Sequence, residues 1–226
     1  MSDVFEIMLP EIEVGENSLH IKCDYQCGDY GFSEHFSLAL PEQVAVDNET
    51  RDGAVHLLAI AAATSYYKAF NVSTVSIEFG VTQEVIEWAK HLFDEGLREF
   101  RFTNEIDYEN VPTIVADITS RRPDFSKGAN GVLVPIGGGK DSATSLEILK
   151  SSDTNCVGFS IGAFPAIEAT AQVAGVDMVR AIRTIDPLLF ELNSEGYPNG
   201  HIPVTAITST LAVISALFVG ADSVAM

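Results

Sequence analysis

Cysteine is scarce in this sequence. The 226 residues include three cysteines, Cys23, Cys27 and Cys156, an odd number that does not suit a disulfide framework. The spacing between Cys23 and Cys27 also lacks the second ligand pair that a structural zinc site requires. The acidic N-terminus has no basic segment followed by an apolar stretch, so no secretory signal is predicted. We therefore expect free thiols in a reducing compartment, the cytoplasm.

Cations and long apolar runs are scarce as well. Thirteen lysines and arginines face 32 carboxylates, which gives a formal net charge of −19. Such a chain has no overall positive field to hold a polyphosphate backbone, so nucleic-acid binding through bulk electrostatics is disfavoured. Residues 204–220 are apolar but short and contain Thr205 and Ser209, which favours a buried helix over a membrane span. The expected partners include no nucleic acid and no membrane, and the oligomeric state is left open.

The composition is that of a folded protein, with 46% hydrophobic and 20% charged residues. Short β-favouring runs between residues 5 and 40 predict a small antiparallel sheet, and a helix, a strand and a second helix are predicted after it. Residues 119–130 are polar and contain proline and glycine, as linkers do. We therefore predict a smaller α+β domain over residues 1–125, associated with the substrate, and a second domain over residues 126–226.

The second domain shows strands that alternate with helices. Apolar strands are predicted at 131–136, 156–161 and 178–183, helices at 142–150, 165–174 and 204–220, and the start of a fourth strand at 223–226. This alternation predicts an α/β fold with a doubly wound, mainly parallel sheet that has helices on both faces. Ligands bind beyond the carboxyl ends of such strands. We therefore expect this domain to be C-terminally incomplete, because the sequence stops as the fourth strand begins.

Three consecutive glycines follow the first of these strands and precede a helix. Glycines let backbone N–H groups approach a ligand, and the helix dipole, Lys140 and the Ser142 hydroxyl would add to an anion-binding turn. A merely tight turn is the alternative. A Walker A loop is excluded, because Val134 occupies the position of its first glycine and Asp141 that of its Ser or Thr. The dinucleotide-binding fingerprint G-x-G-x-x-G matches poorly, because Ser142 stands at the position of its third glycine.

The turn resembles the S-G-G-x-D-S signature of the PP-loop ATP pyrophosphatases, with glycine in place of the first serine. That resemblance implies a doubly wound α/β domain that cleaves ATP between its α- and β-phosphates. It implies that Gly138, Gly139 and Ser142 hold the pyrophosphate portion and that Asp141 helps to place Mg²⁺. A carboxylate beside a triphosphate is repulsive unless a divalent cation lies between them, although Asp141 could equally cap the helix. The predicted ATP-binding residues are Gly137, Gly138, Gly139, Lys140, Asp141, Ser142 and Ser160.

Residues 180–206 narrow the resemblance further. Together with the glycine turn, they are similar to the ATP-dependent UDP-N-acetylmuramoyl-L-alanyl-L-glutamate epimerases of peptidoglycan synthesis, with residues 137–142 and 196–205 as the sharpest parts. This likeness implies a UDP-N-acetylmuramoyl dipeptide as substrate and epimerisation of its terminal L-glutamate through an acyl adenylate, with release of AMP and pyrophosphate. Adenylation removes the carboxylate charge that would otherwise oppose loss of the α-proton.

His201 and Arg183 are the predicted catalytic residues. His201 follows the third strand of the second domain on the ligand side, but it could also cap the helix that begins near Val204. Arg183, and less so Arg180, could bind phosphate or a substrate carboxylate, or could pair with nearby acids. Ser160 ends the second strand, where related folds bind adenine or ribose, and it could also simply end that strand.

Two alternative functions stay open at this point. The first keeps the PP-loop and changes the acceptor, as in an amide-forming synthetase or a tRNA-modifying enzyme, although the acidic charge disfavours tRNA. The second is a nucleotide-binding module without turnover.

Overall fold

The computed structural model describes residues 3–120 and 131–226, and the predicted boundary between residues 125 and 126 lies outside them. The strands in chain order are β1 Val4–Ile7, β2 Glu11–Val14, β3 Ser18–Cys27, β4 Tyr30–Ala39, β5 Thr74–Val81, β6 Thr113–Ile118, β7 Val132–Pro135, β8 Cys156–Ile161, β9 Met178–Thr184 and β10 Ser223–Val224. The α-helices are α1 Asn48–Tyr67, α2 Gln83–Asp94, α3 Arg98–Thr103, α4 Lys140–Ser151, α5 Pro165–Ala174, α6 Pro187–Ser194 and α7 Val204–Val219.

A long hairpin of β3 and β4 dominates the N-terminal part. Alternate residues of both strands are buried, as expected when one face of a sheet packs on a core and the other faces solvent. A two-residue turn joins the strands, and Gly28 in it has a φ of 58°, which glycine adopts without strain. β1 and β2 also pair antiparallel with β3, so the antiparallel sheet predicted for this region is confirmed.

One mixed sheet runs through the described residues, in the order β10-β7-β8-β9-β4-β3-β1-β5-β6, with β2 beside β3. β4 pairs antiparallel with β9, and Phe36 lies opposite Arg183. This pairing joins strands from both sides of the predicted linker within a single sheet. The division into two domains stays a prediction.

The strands β10, β7, β8 and β9 run parallel to one another, as predicted. The chain adds β8 and β9 on one side of β7 and then returns to add β10 on its other side. Neighbouring residues of β7 belong to opposite faces: Val134 packs with α4 and α5, whereas Leu133 belongs to the core that contains α1 and α7. The α/β class, with helices on both faces, is therefore confirmed, whereas the PP-loop type of the sheet stays a prediction.

Helix α1 is the central helix of the larger core. It is rich in alanine, and residues 58–67 are all buried, so no face of the helix is exposed to solvent over that span. Its many alanines have small side chains, which suit close packing of α1 against α7. The described part of the chain contains no helix with the length and hydropathy that a bilayer crossing requires.

Candidate functional site

The carboxyl ends of β7, β8 and β9 lie along one edge of the sheet. Ligands of parallel α/β sheets bind at this edge, next to the point where the strand order reverses. That point lies between β7 and β10, so the three glycines after β7 are beside it. The β3–β4 hairpin extends beyond this edge of the sheet. His35 pairs with Thr184 at the end of β9, and residues 30–34 continue past that end. Ser33 N–H donates to Asp186 Oδ2 (2.8 Å), which ties this extension to the start of α6.

The glycine turn has space on its outer side. A Cβ added to Gly137 or Gly139 would meet no atom within 4 Å. Gly138 differs, because its φ is 76° and a Cβ there would lie 2.9 Å from the Cβ of Ala166 on α5. Gly139 caps α4 without a side-chain hydrogen bond, so no capping side chain of the described residues takes the first N–H groups of this helix. The turn thus presents backbone donors and a helix N-terminus to open space, which fits an anion such as phosphate.

The polar side chains of the turn are accessible. Those of Lys140 and Asp141 are 91% and 93% exposed, and Lys140 Nζ lies 3.2 Å from Asp141 Oδ1. Ser142 Oγ donates to the carbonyl oxygen of Gly139 (3.1 Å). Across residues 3–120 and 131–226, no three His, Cys, Asp or Glu side chains come together as a metal site. A single exposed carboxylate suits Mg²⁺ held together with substrate phosphates and water, which is how this ion is commonly bound.

Ser160 lies at the end of β8 and is buried. Its hydroxyl donates to the carbonyl oxygen of Gly162 (2.9 Å), which closes the turn after the strand. Gly162 has a φ of 80°, the left-handed conformation that glycine permits at such a turn. A contact between Ser160 and ATP stays a prediction.

The two arginines of β9 lie on opposite faces of the sheet. Arg180 makes a two-point ion pair with Glu168 on α5, with Nε to Oε1 at 2.8 Å and Nη2 to Oε2 at 2.6 Å. Arg183 faces α1 instead, where Nε contacts the carboxylate of Glu34 and Nη2 donates to Ser65 Oγ (2.7 Å). Glu34 is 0% exposed. A ligand contact by Arg183 would therefore compete with a buried ion pair.

Burial shifts the pKa of the groups around this ion pair. It raises the pKa of Glu34, an effect that the nearby charge of Arg183 opposes. Burial also raises the pKa of Tyr66, whose hydroxyl accepts from the N–H of Asp186 (3.1 Å). Glu34 was missed as a candidate, although a glutamate at an inward-facing position of β4 between Phe32 and Phe36 is a signal in the sequence.

His201 is exposed in the segment between α6 and α7. The same segment contacts Lys68, the residue after α1, whose Nζ donates to Asn199 Oδ1 and to the carbonyl oxygen of Gly200 (3.4 Å). Lys68 is 7% exposed, and burial together with the charge of Arg183 lowers its pKa. The sequence pattern gave no reason to single out Lys68. A catalytic role of His201 stays a prediction.

Comparison with known proteins adds to this picture. The family model described as MurL N-terminal domain matches residues 2–226. The chain is 33% identical over 194 residues to a protein of a Micromonospora strain, and 32% identical over 212 residues to one of Salinispora tropica. A third relative, from Xanthomonas oryzae pv. oryzae, is 33% identical over 174 residues. All three bear the name UDP-N-acetyl-alpha-D-muramoyl-L-alanyl-L-glutamate epimerase.

These matches cover 84%, 88% and 76% of this chain but 43%, 44% and 38% of the respective relatives. The chain thus spans less than half the length of the curated relatives it matches. No solved structure matches it.

Proposed function

This chain belongs to the MurL N-terminal domain family, and from that premise we propose that it is the ATP-binding part of an epimerase. The proposed reaction inverts the terminal L-glutamate of UDP-N-acetylmuramoyl-L-alanyl-L-glutamate to D-glutamate, in the synthesis of peptidoglycan precursors. The names of the three relatives support the substrate and the inversion. The observation that carries the ATP dependence is the glycine turn after β7, with its open outer side and free helix N-terminus.

ATP is proposed to supply the adenylyl group that makes inversion possible. The α-proton of a free glutamate is hard to remove, because the carbanion would form beside a carboxylate that already carries a negative charge. Adenylation of that carboxylate removes the charge and lets the developing enolate delocalise. A base then takes the α-proton, a proton returns on the other face, and water releases AMP; pyrophosphate has left in the first step.

Each residue of the turn has a distinct task in this proposal. The N–H groups of Gly138 and Gly139 and the start of α4 would bind the pyrophosphate portion of ATP. The exposed carboxylate of Asp141 would hold Mg²⁺, which offsets its repulsion by the phosphates, and the exposed ammonium of Lys140 would add positive charge. Ser142 would exchange its bond to the Gly139 carbonyl for a phosphate oxygen.

His201 is the proposed acid/base residue. It is exposed on the segment that follows α6, at the same edge of the sheet as the turn, and imidazole exchanges protons near neutral pH. Arg183 is proposed to act on the substrate only if its ion pair with Glu34 opens. Ser160 is proposed to contact the nucleoside of ATP from the end of β8.

Replacement of Asp141 by alanine tests the proposed function. We expect about a tenfold or larger loss of AMP and pyrophosphate release, because the charged contact to Mg²⁺ is removed. Release is measured with the intact protein, ATP, Mg²⁺ and UDP-N-acetylmuramoyl-L-alanyl-L-glutamate, and chiral analysis of the hydrolysed product detects D-glutamate. Glu147→Ala is the matched control, since it removes the same charge from an exposed position of the same helix.

The outcomes separate the alternatives. Release that requires Asp141 and this substrate, together with D-glutamate in the product, supports the epimerase. Release that ignores this substrate would keep the ATP site and move the assignment to another adenylating enzyme. A wild-type protein that neither binds nor cleaves ATP would contradict the nucleotide site itself.

A further inference from the structure

Lys68 is a buried cation that has no counter-charge among the described residues. Eight of the ten lysines and arginines that the structure describes form an ion pair with a carboxylate. The other two are Lys150, which is exposed and contacts the carbonyl oxygen of Ala174, and Lys68, which is 7% exposed. The partners of Lys68 are the neutral oxygens of Asn199 and Gly200.

This arrangement is unfavourable for the isolated protein. Burial of an ammonium group is opposed by the loss of hydration unless an anion compensates it. The chain has a large excess of carboxylates, yet burial lowers the pKa of Lys68 and the nearby positive charge of Arg183 lowers it further. Arg183 in turn is paired with Glu34. The surroundings of Lys68 therefore attract an anion that the described residues do not supply.

The amine of Lys68 contacts the side chain of one exposed residue, Asn199. Asn199 is exposed, and its Oδ1 accepts from Lys68 Nζ and from the N–H of Gly200 (2.9 Å). The backbone of Asn199 is held separately, because its carbonyl oxygen accepts from Asn104 Nδ2 (2.9 Å). Rotation of the Asn199 side chain alone would thus remove one of the two oxygens that the amine contacts, while the backbone of the segment stays in position.

Lys68 is also next to the edge where the substrate is proposed to bind. Phe70, two residues after Lys68, and Tyr197, two residues before Asn199, pack with the ring of Tyr30, and the three half-buried rings have centroids 5.3–6.1 Å apart. Tyr30 belongs to the hairpin extension beyond the end of β9. An anionic group that displaced Asn199 from Lys68 would therefore lie at the carboxyl edge of the sheet.

We propose that Lys68 binds an oxyanion of the acceptor substrate, and that Asn199 takes the place of this oxyanion when the substrate is absent. The inference rests on the proposed function and deepens it, since it names a specific contact to the acceptor rather than to ATP. Two groups of that acceptor share this chemistry: the carboxylates of the terminal glutamate and the diphosphate of the UDP moiety. Lys68 would also distinguish an anionic acceptor from a neutral one.

The test is the affinity of Lys68→Gln for the acceptor, measured by titration calorimetry on the intact protein. Glutamine keeps a donor for Asn199 and loses the charge, so we expect about a tenfold or larger loss of affinity for UDP-N-acetylmuramoyl-L-alanyl-L-glutamate. Affinity for a non-hydrolysable ATP analogue is expected to stay unchanged, which also verifies the fold. Lys68→Arg is expected to retain most of the acceptor affinity, and Lys90→Gln, an exposed lysine paired with Glu87 on α2, is the matched control.

Separate titrations with UDP and with the dipeptide L-Ala-L-Glu identify the oxyanion, since Lys68→Gln should weaken the binding of one of them. Acceptor binding by Lys68→Gln equal to that of the wild type would overturn this inference and leave the proposed function intact. A wild-type protein that binds the ATP analogue but not the acceptor would overturn the proposed function, and with it the assignment of Lys68.

Discussion

Replacement of Arg183 by methionine is expected to lower the free energy of unfolding by about 3–5 kcal/mol. Methionine leaves the carboxylate of Glu34 without its cation between the sheet and α1, where this residue is 0% exposed. Within residues 3–120 and 131–226, Oε2 of Glu34 already makes no hydrogen bond, so Arg183 is the main compensation for the buried charge. Urea unfolding followed by circular dichroism measures the loss.

Arg180→Met is the matched control on the same strand. Arg180 points to the opposite face and pairs with Glu168, and these two side chains are 40% and 41% exposed. Solvent screens an ion pair of this kind, so we expect a loss of about 0–1 kcal/mol. Equal losses for the two variants would contradict the buried position of the Arg183 ion pair.

The double variant Glu34→Met with Arg183→Met separates stability from catalysis. Two apolar side chains in place of a buried ion pair are often neutral or stabilising, so the double variant is expected to recover most of the stability. Its epimerase activity then decides the role of Arg183. Activity that returns with the stability would assign Arg183 to the ion pair, whereas a stable but inactive protein would support a contact to the substrate.

Gly138→Ala is expected to weaken ATP binding by about 100-fold. Alanine is strained at a φ of 76°, and its Cβ would lie 2.9 Å from the Cβ of Ala166, so the turn must move away from α5. The two effects together are worth about 2–4 kcal/mol. The dissociation constant of a fluorescent ATP analogue measures the loss, and thermal unfolding shows whether the rest of the protein stays folded.

Gly137→Ala adds the same methyl group one residue earlier in the turn. A Cβ at Gly137 meets no atom within 4 Å, so the protein itself accepts this substitution, and ATP binding is expected to change much less than in Gly138→Ala. Similar losses for both variants would mean that the outer side of the turn, rather than its contact with α5, limits binding.

Local patterns predicted most of the second half of the fold. β8 and α5 have the predicted bounds, because an apolar strand run, a proline at the start of a helix and Gly175 at its end are all local signals. β6, α3 and α6 are not among the predicted elements. β6 and α3 are short, with six residues each, and α6 lies in the segment that carries the resemblance to the epimerases.

The candidate site was predictable only where its residues are neighbours in the sequence. The glycine turn and Asp141 form one contiguous segment, so the sequence indicated an anion-binding turn. The partners of Arg183 and Lys68 are 149 and 131 residues away in the chain, and their contacts depend on the register of β4 with β9 and on the position of α1. No local pattern encodes such a register, so the Arg183–Glu34 ion pair and the burial of Lys68 could be identified only from the structure.

The pairing of β4 with β9 also has a consequence for synthesis on the ribosome. Arg183 is translated 149 residues after Glu34, and at about 5–20 residues per second this interval lasts roughly 7–30 s. Throughout it, β4 is an open edge strand with unpaired backbone groups, and Glu34 lacks its counter-ion. Open edges are sites of intermolecular strand pairing. The nascent hairpin is therefore expected to need protection from intermolecular strand pairing until β9 emerges.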